Sequence, residues 1–289
     1  MKWTLVCCFA VVAAVCAQGQ FIDLASSTQV NGIDPVFGLY GQLDTTYQGQ
    51  QGQYAFWKPE HGKMQILPYP TASISGINSH CIAGNYTDFA NYTVAGFQQC
   101  TDKNGNVQFF EFALGAIATS LTAQLHGTQT TFGYSLDFHL KSTGFVATPV
   151  FDANGAVKSY NTTSYSVPGA TSTRILTANE TGMAGSFETA DGKWSGFIQP
   201  NGGALQVVNF PGSQNTAVTA LGSKCYAGYS VASDGTQPAF LYCHGFIPIS
   251  LGYGATWITD ITKDGDVAGY FPQSNGGYRS FVWKKFAAH

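Results

Sequence analysis

Six histidines and seven cysteines have the widest chemistry open to them in this chain. The histidines are His61, His80, His126, His139, His244 and His289. No two stand four apart, as a helix-borne metal pair requires, and there is no H-E-x-x-H. His126 replaces a small residue in a strand-like stretch and reads as a half-buried, hydrogen-bonded side chain. Asp191-Gly192, Asp234-Gly235 and Asp264-Gly265-Asp266 could open calcium loops, but each falls where a hairpin must turn. There is no nucleophile elbow, phosphate loop or close carboxylate pair. The sequence therefore assigns no catalytic residue, no cofactor and no metal ligand. Trp57, Trp194, Trp257 and Trp283 could stack on sugars. Trp57, Trp194 and Trp283 lie within three residues of a recurrent Phe, so they read mainly as core. N-x-T sequons stand at Asn85, Asn91, Asn161 and Asn179, and are glycan acceptors in a secretory pathway.

The elements that hold these residues repeat. Ala170 to Gly212 is the clearest unit. Its extended segments STRILTA, MAGSF, WSGFIQ and LQVVNF alternate with NETG, ETADGK, PNGG and PG. Turn residues punctuate too often for a helix, so the unit predicts a four-stranded antiparallel meander. Two anchors recur with it. The first is a glycine: Gly41, Gly84, Gly127, Gly185, Gly228 and Gly269, spaced 43, 43, 58, 43 and 41 residues apart. The second is a small residue before Phe56, Phe97, Phe145, Phe197, Phe240 and Phe281. A four-strand unit with a period in the low forties is the signature of a propeller blade. The reading is all-β, a six-bladed β-propeller in one domain over residues 18–289. Its blades fall at about 26–70, 71–115, 116–169, 170–212, 213–254 and 255–289. The third blade carries an insertion. The last lacks an outer strand, and Phe21-Ile22-Asp23-Leu24 has the missing pattern, so residues 21–24 are expected to close it.

The same register pairs the cysteines. If Gly84 lies opposite Phe97, three residues outward on each strand bring Cys81 opposite Cys100. Gly228 and Phe240 do the same for Cys225 and Cys243. Two disulfides are expected, Cys81–Cys100 and Cys225–Cys243. Cys7, Cys8 and Cys16 lie in the opening MKWTLVCCFAVVAAVCA, where Lys2 precedes an apolar run and Val15-Cys16-Ala17 offers a cleavage site. Residues 1–17 read as a secretory signal peptide, too short to span a bilayer, leaving Gln18 first.

GINSHCIAGNYTD followed by AGF, and VPGATSTRILTANETGMAGSFETADGKWSGF, resemble the HAF-type extracellular repeat. The resemblance covers essentially the whole chain after the leader and is clearest in the second and fourth units. It implies a secreted, propeller-like repeat protein and supplies no catalytic residue to carry over.

Charged residues make up 10% of the chain and the net charge is −3, with no basic stripe for nucleic acid and no amphipathic membrane helix. Together these point to a secreted, glycosylated, non-enzymatic binding or matrix component whose partner is an extracellular protein or glycan. A carbohydrate-binding propeller and an extracellular hydrolase or lyase with its site at the channel mouth are the two alternatives.

Overall fold

Short period-two segments between Gly-, Asn- and Pro-rich turns give twenty-four strands and no helix among the described residues. The computed structural model describes residues 19–284 apart from 22–23, 25–26, 35, 79–80, 90, 103, 115–116, 126 and 252–253. The signal peptide, Gln18, His80, His126 and His289 lie outside the described residues.

Strand β1 (Gly19–Phe21) precedes a first meander of β2 (Thr28–Asp34), β3 (Gly38–Tyr47), β4 (Gln50–Lys58) and β5 (Gln65–Pro70). The second comprises β6 (Ser73–Ile77), β7 (Cys81–Asp88), β8 (Thr93–Thr101) and β9 (Val107–Phe112). The third comprises β10 (Ala118–Gln124), β11 (Thr131–Leu136), β12 (Ser142–Phe151) and β13 (Val157–Tyr165). The fourth comprises β14 (Ser172–Asn179), β15 (Gly182–Glu188), β16 (Trp194–Pro200) and β17 (Gln206–Val208). The fifth comprises β18 (Asn215–Leu221), β19 (Tyr226–Val231), β20 (Ala239–Tyr242) and β21 (Phe246–Ile249). The last strands are β22 (Trp257–Ile261), β23 (Val267–Pro272) and β24 (Tyr278–Trp283).

Hydrogen bonds group these strands into five sheets, four of four strands and one of eight. Six separate sheets were expected. The eight-stranded sheet arises because one parallel pair, Ala118 with Val94, joins β10 to β8. The amide of Val94 also donates to the carbonyl of Ile117 at 3.2 Å, so the two backbones touch where both strands begin.

The fourth strand of the last sheet is β1, antiparallel to β24, with Gly19 opposite Trp283 and Phe21 opposite Phe281. The expected strand, Phe21–Leu24, is thus placed two residues too late; residues 22 and 23 lie outside the described residues. Leu24 instead packs into a cluster shared by the first and last sheets, with Val30, Leu43, Phe56, Ala268 and Val282. Strand β2 lies against β22, β23 and β24, as each later innermost strand lies against the meander before it.

One structural device explains both sequence anchors. Every innermost strand shifts register by one residue, at Asn31, Ser75, Thr122, Leu176, Thr219 and Thr259. Such a bulge bends the strand and pushes a nearby carbonyl toward the second strand. A Cβ on Gly41, Gly84, Gly133, Gly185, Gly228 or Gly269 would stand 1.8–2.2 Å from that oxygen, so a side chain is excluded there. The recurrent phenylalanines pair directly with these glycines and fill the vacated space. All six rings are buried, each stabilising by about 1.5–3 kcal/mol. In the third meander the anchor is therefore Gly133, opposite Phe145, and not Gly127, which has open space around it. The small residue before Phe has its own cause. A Cβ on Gly96, Gly144 or Gly196 would crowd Leu121, Ile175 or Val218, the buried aliphatics of the next innermost strand.

Cys81 and Cys100 form a disulfide with Cα atoms 4.0 Å apart, and Cys225 and Cys243 form one at 4.3 Å.

Candidate functional site: the central channel

Residues at the ends of the innermost strands β2, β6, β10, β14, β18 and β22 line a cavity of about 340 Å³. Its wall begins with the bulge residues. Asn31 donates to the carbonyl of Ile74 at 2.8 Å, and Thr122 to that of Ile175 at 2.9 Å. Thr219 donates to the carbonyl of Ile258 at 2.5 Å, and Thr259 to that of Val30 at 2.9 Å. The second meander departs from this pattern: the Ser75 hydroxyl is buried with no hydrogen-bond partner among the described residues. The carbonyl it would reach, Leu121, is taken by the Asn85 amide at 2.9 Å, while Asn85 Oδ1 accepts from the Leu121 amide at 2.6 Å. Leu176 has no polar atom to offer.

The residue after each bulge is Gly32, Gly76, Ala123, Thr177, Ala220 and, in the last sheet, Asp260. Asp260 is the chemical exception on the wall. Its Oδ2 accepts from the Ile33 amide of the first sheet at 3.0 Å, and its Oδ1 from the Ile261 amide at 2.8 Å. Burial pushes its pKa up to about 6, and the Asp34 carboxylate adds to the rise; the two amide donors oppose it. Tyr40 stands beside it in the gap left by Gly32, where a Cβ would lie 2.2 Å from the Tyr40 hydroxyl. Burial, then the charges of Asp260 and Asp34, hold the Tyr40 phenol well above its ordinary range. Asp34 itself turns the chain, accepting from the Val36 and Phe37 amides at 2.7 and 2.8 Å.

Sequence reasoning singled out neither Asp260 nor Tyr40. The available signal was the row of small residues after the bulges, in which one carboxylate replaces Gly, Ala or Thr. Asp264-Gly265-Asp266 forms the hairpin turn expected of it, with Gly265 at φ +86° and Asp266 2.9 Å from Lys284. Gly192 and Gly235 likewise sit at positive φ in turns. Among the described residues no group of three or more His, Cys, Asp and Glu side chains could hold a metal ion. His61, His139 and His244 are exposed, away from the channel wall.

A second polar centre is Arg174 on β14. Its guanidinium lies 4.5 Å from the Trp194 ring and 5.5 Å from the Tyr134 ring, and its Nε donates to Ser142 at 2.8 Å. The other tryptophans are packed. Trp57 donates to the Phe37 carbonyl, Trp257 stacks on Tyr270 at 5.1 Å, and Trp283 lies 4.7 Å from Phe281.

The four sequons divide by surroundings. Asn85 is tied to the third meander as above, and Asn179 donates to the Leu221 carbonyl of the fifth. Asn91 and Asn161 are exposed, on the β7–β8 turn and on β13.

No protein-family model matches the chain, and no curated protein matches it. Among solved structures it is similar to the β-propeller domain of the Trilobed protease from Pyrococcus furiosus, a domain with an open velcro topology. The TM-score is 0.50 at 8% identity, covering 92% of this chain and 94% of that one. A triple arginine-to-alanine mutant of AofleA from Arthrobotrys oligospora aligns at a TM-score of 0.47 and 17% identity, over 90% of this chain and 79% of that one. The Pyrococcus horikoshii acylaminoacyl peptidase aligns at 0.47 and 9% identity, over 90% of this chain and 51% of that one. At these identities the first likeness speaks for the fold alone: the architecture is that of a β-propeller.

Proposed function

We propose that this chain is a secreted, closed six-bladed β-propeller of the HAF-repeat kind, acting as a non-enzymatic extracellular binding or matrix component. Six bulged innermost strands, six Gly–Phe pairs and the bonds from Thr259 and Asp260 to the first sheet support the blade count and the closure. Two disulfides fit an oxidising compartment, in line with the apolar leader of residues 1–17. The observation that carries the non-enzymatic reading is the state of Asp260. Both of its oxygens are held by backbone amides, one of them from the other end of the chain. A general acid or base needs an oxygen turned toward a substrate; here one oxygen joins the last sheet to the first and the other turns back onto its own strand.

The reading expects Asp260→Asn to move the melting temperature and its pH dependence, and to leave nothing enzymatic to lose. A hydrolase or lyase activity in the secreted protein, abolished by Asp260→Asn with the fold intact, would overturn it. Carbohydrate binding is the second reading, favoured by the cation and aromatic rings at Arg174, Trp194 and Tyr134. Glycan-array binding that disappears in Arg174→Ala would select it.

A further inference from the structure

We infer that Asn91 carries an N-linked glycan whose first sugar lies against the ring of Phe89, and that this sugar is the cover for an otherwise exposed aromatic tip. The inference rests on the secretory reading above.

The tip is the turn between β7 and β8. Asp88 pairs with Thr93, and Phe89, Asn91 and Tyr92 lie in the turn between them. Phe89 is 61% exposed and Tyr92 88%. Tyr92 also sits at φ +54°, a backbone conformation that is costly for a bulky side chain. The matching turns of the fourth, fifth and last sheets place Gly192, Gly235 and Gly276 at their positive-φ position, next to polar residues. The matching turn of the third meander also exposes apolar side chains, Phe138 and Leu140, but holds no acceptor, whereas this loop does: the run Phe89-Ala90-Asn91-Tyr92-Thr93 is a sequon with an aromatic two residues before the asparagine. A pyranose presents an apolar C–H face, and the ring of an exposed Phe is a partner for it.

The chemistry at Asn91 is open where that at Asn85 and Asn179 is not. Glycosylation forms a bond from Nδ2 to the anomeric carbon of an oligosaccharide carried on a lipid pyrophosphate. The anomeric C–O bond breaks, the lipid pyrophosphate leaves with the electron pair, and Nδ2 gives up one proton. One N–H remains. At Asn91 that N–H can keep the bond to Asp88 Oδ2, now 2.6 Å, while the sugar projects into solvent. At Asn85 the amide lies between the second and third meanders, paired with both backbone groups of Leu121, and a sugar would part them. At Asn179 it would part the fourth and fifth. A chain modified at either site loses inter-sheet packing and fails to mature.

The test is glycopeptide mapping of the full chain secreted from glycosylating eukaryotic cells, using enzymatic release of the sugar in heavy-oxygen water. Sugar at Asn91 with none at Asn85 and Asn179 is the expected pattern. Sugar at Asn161 but none at Asn91 would overturn this inference and leave the secretory reading standing. No sugar at any of the four would overturn both. The contact with Phe89 is read separately. Asn91→Gln should lower the melting temperature by about 2–4 °C in the native background, and by less than about 1 °C in a Phe89→Ala background. Equal losses in the two backgrounds would show that the sugar does not use the ring.

Discussion

The β14–β17 meander and the last sheet have the same four-strand plan but are built differently. The first is one continuous stretch from Ser172 to Val208, and its outer strand is three residues long. The last takes its outer strand, also three residues, from the opposite end of the chain. Chain connectivity ties β17 to its own sheet; β1 is tied by the chain to the first sheet instead, with Leu24 after it packed in the cluster that the first and last sheets share. The last sheet offsets this with polar bonds across the join. Ser280 Oγ donates to the Thr28 carbonyl at 2.8 Å and accepts from the Val30 amide at 3.1 Å. Thr259 and Asp260 add the bonds described above. In β14 the corresponding residues are Leu176 and Thr177, whose side chains make no such bond to a neighbouring sheet among the described residues. The fourth sheet is also joined to its neighbours by side-chain bonds, Arg174 to Ser142 and Asn179 to the Leu221 carbonyl; what sets the last join apart is a carboxylate, Asp260, taking a backbone amide of the first sheet.

The sharpest way to break this comparison is to remove the borrowed strand. Deleting residues 18–25 should lower the melting temperature by on the order of 10 °C, because an edge and part of the shared cluster are exposed at once. Thermal unfolding that does not change would show that β1 contributes nothing to the join. A covalent tie tests the intermediate case, in the β18–β21 meander that lies between the two. Replacing Cys225 and Cys243 with Ser should cost about 2–4 kcal/mol by denaturant titration. A cost near zero would mean that the strand register alone holds the β19–β20 hairpin.

Asp260→Ala should cost about 1–3 kcal/mol at pH 5, since the Ile33 and Ile261 amides lose their acceptor. Thr177→Ala, at the equivalent position of β14, should stay within about 0.5 kcal/mol. Equal effects would erase the distinction drawn between the two sheets. The smallest effect concerns protons. The folded pKa of Asp260, about 6, lies above the ordinary carboxylate value, so the native state holds this proton more tightly than the unfolded chain does. Its contribution is fully present below about pH 4 and is lost as pH rises through about 6. Melting measured from pH 4.5 to 7.5 should show that decline in the native protein, and Asp260→Asn should flatten it. A decline that persists in Asp260→Asn would assign it to another group.

Most of the fold was legible because its anchors have steric causes. A glycine that faces a bulged carbonyl cannot vary, so Gly41, Gly84, Gly185, Gly228 and Gly269 mark the second strands in the sequence itself. The cysteine register was readable for the same reason: cross-strand pairing fixes Cys81 to Cys100 once Gly84 and Phe97 are aligned. The third meander misled because its β10–β11 turn is long. Gly127 lies near the expected spacing, but Gly133 faces the carbonyl of Ser120. The start of β1 was missed by two residues because apolar alternation in FIDL does not reveal which residues meet β24. Asp260 was invisible for a deeper reason. Its surroundings come from Ile33, Asp34 and Tyr40, more than 200 positions earlier, and no local pattern reports on them.

The bonds from the bulge residues all run the same way. Asn31 reaches the second meander, Thr122 the fourth, Thr219 the last sheet, and Thr259 returns to the first. The bonds thus share a sense of rotation, as the raked teeth of a gear do, and Thr259 carries it from the last sheet to the first. Which sheet meets which is written in these contacts, not in where translation starts. A circularly permuted chain, its original ends joined and new ones opened between Val208 and Asn215, would inherit every tooth.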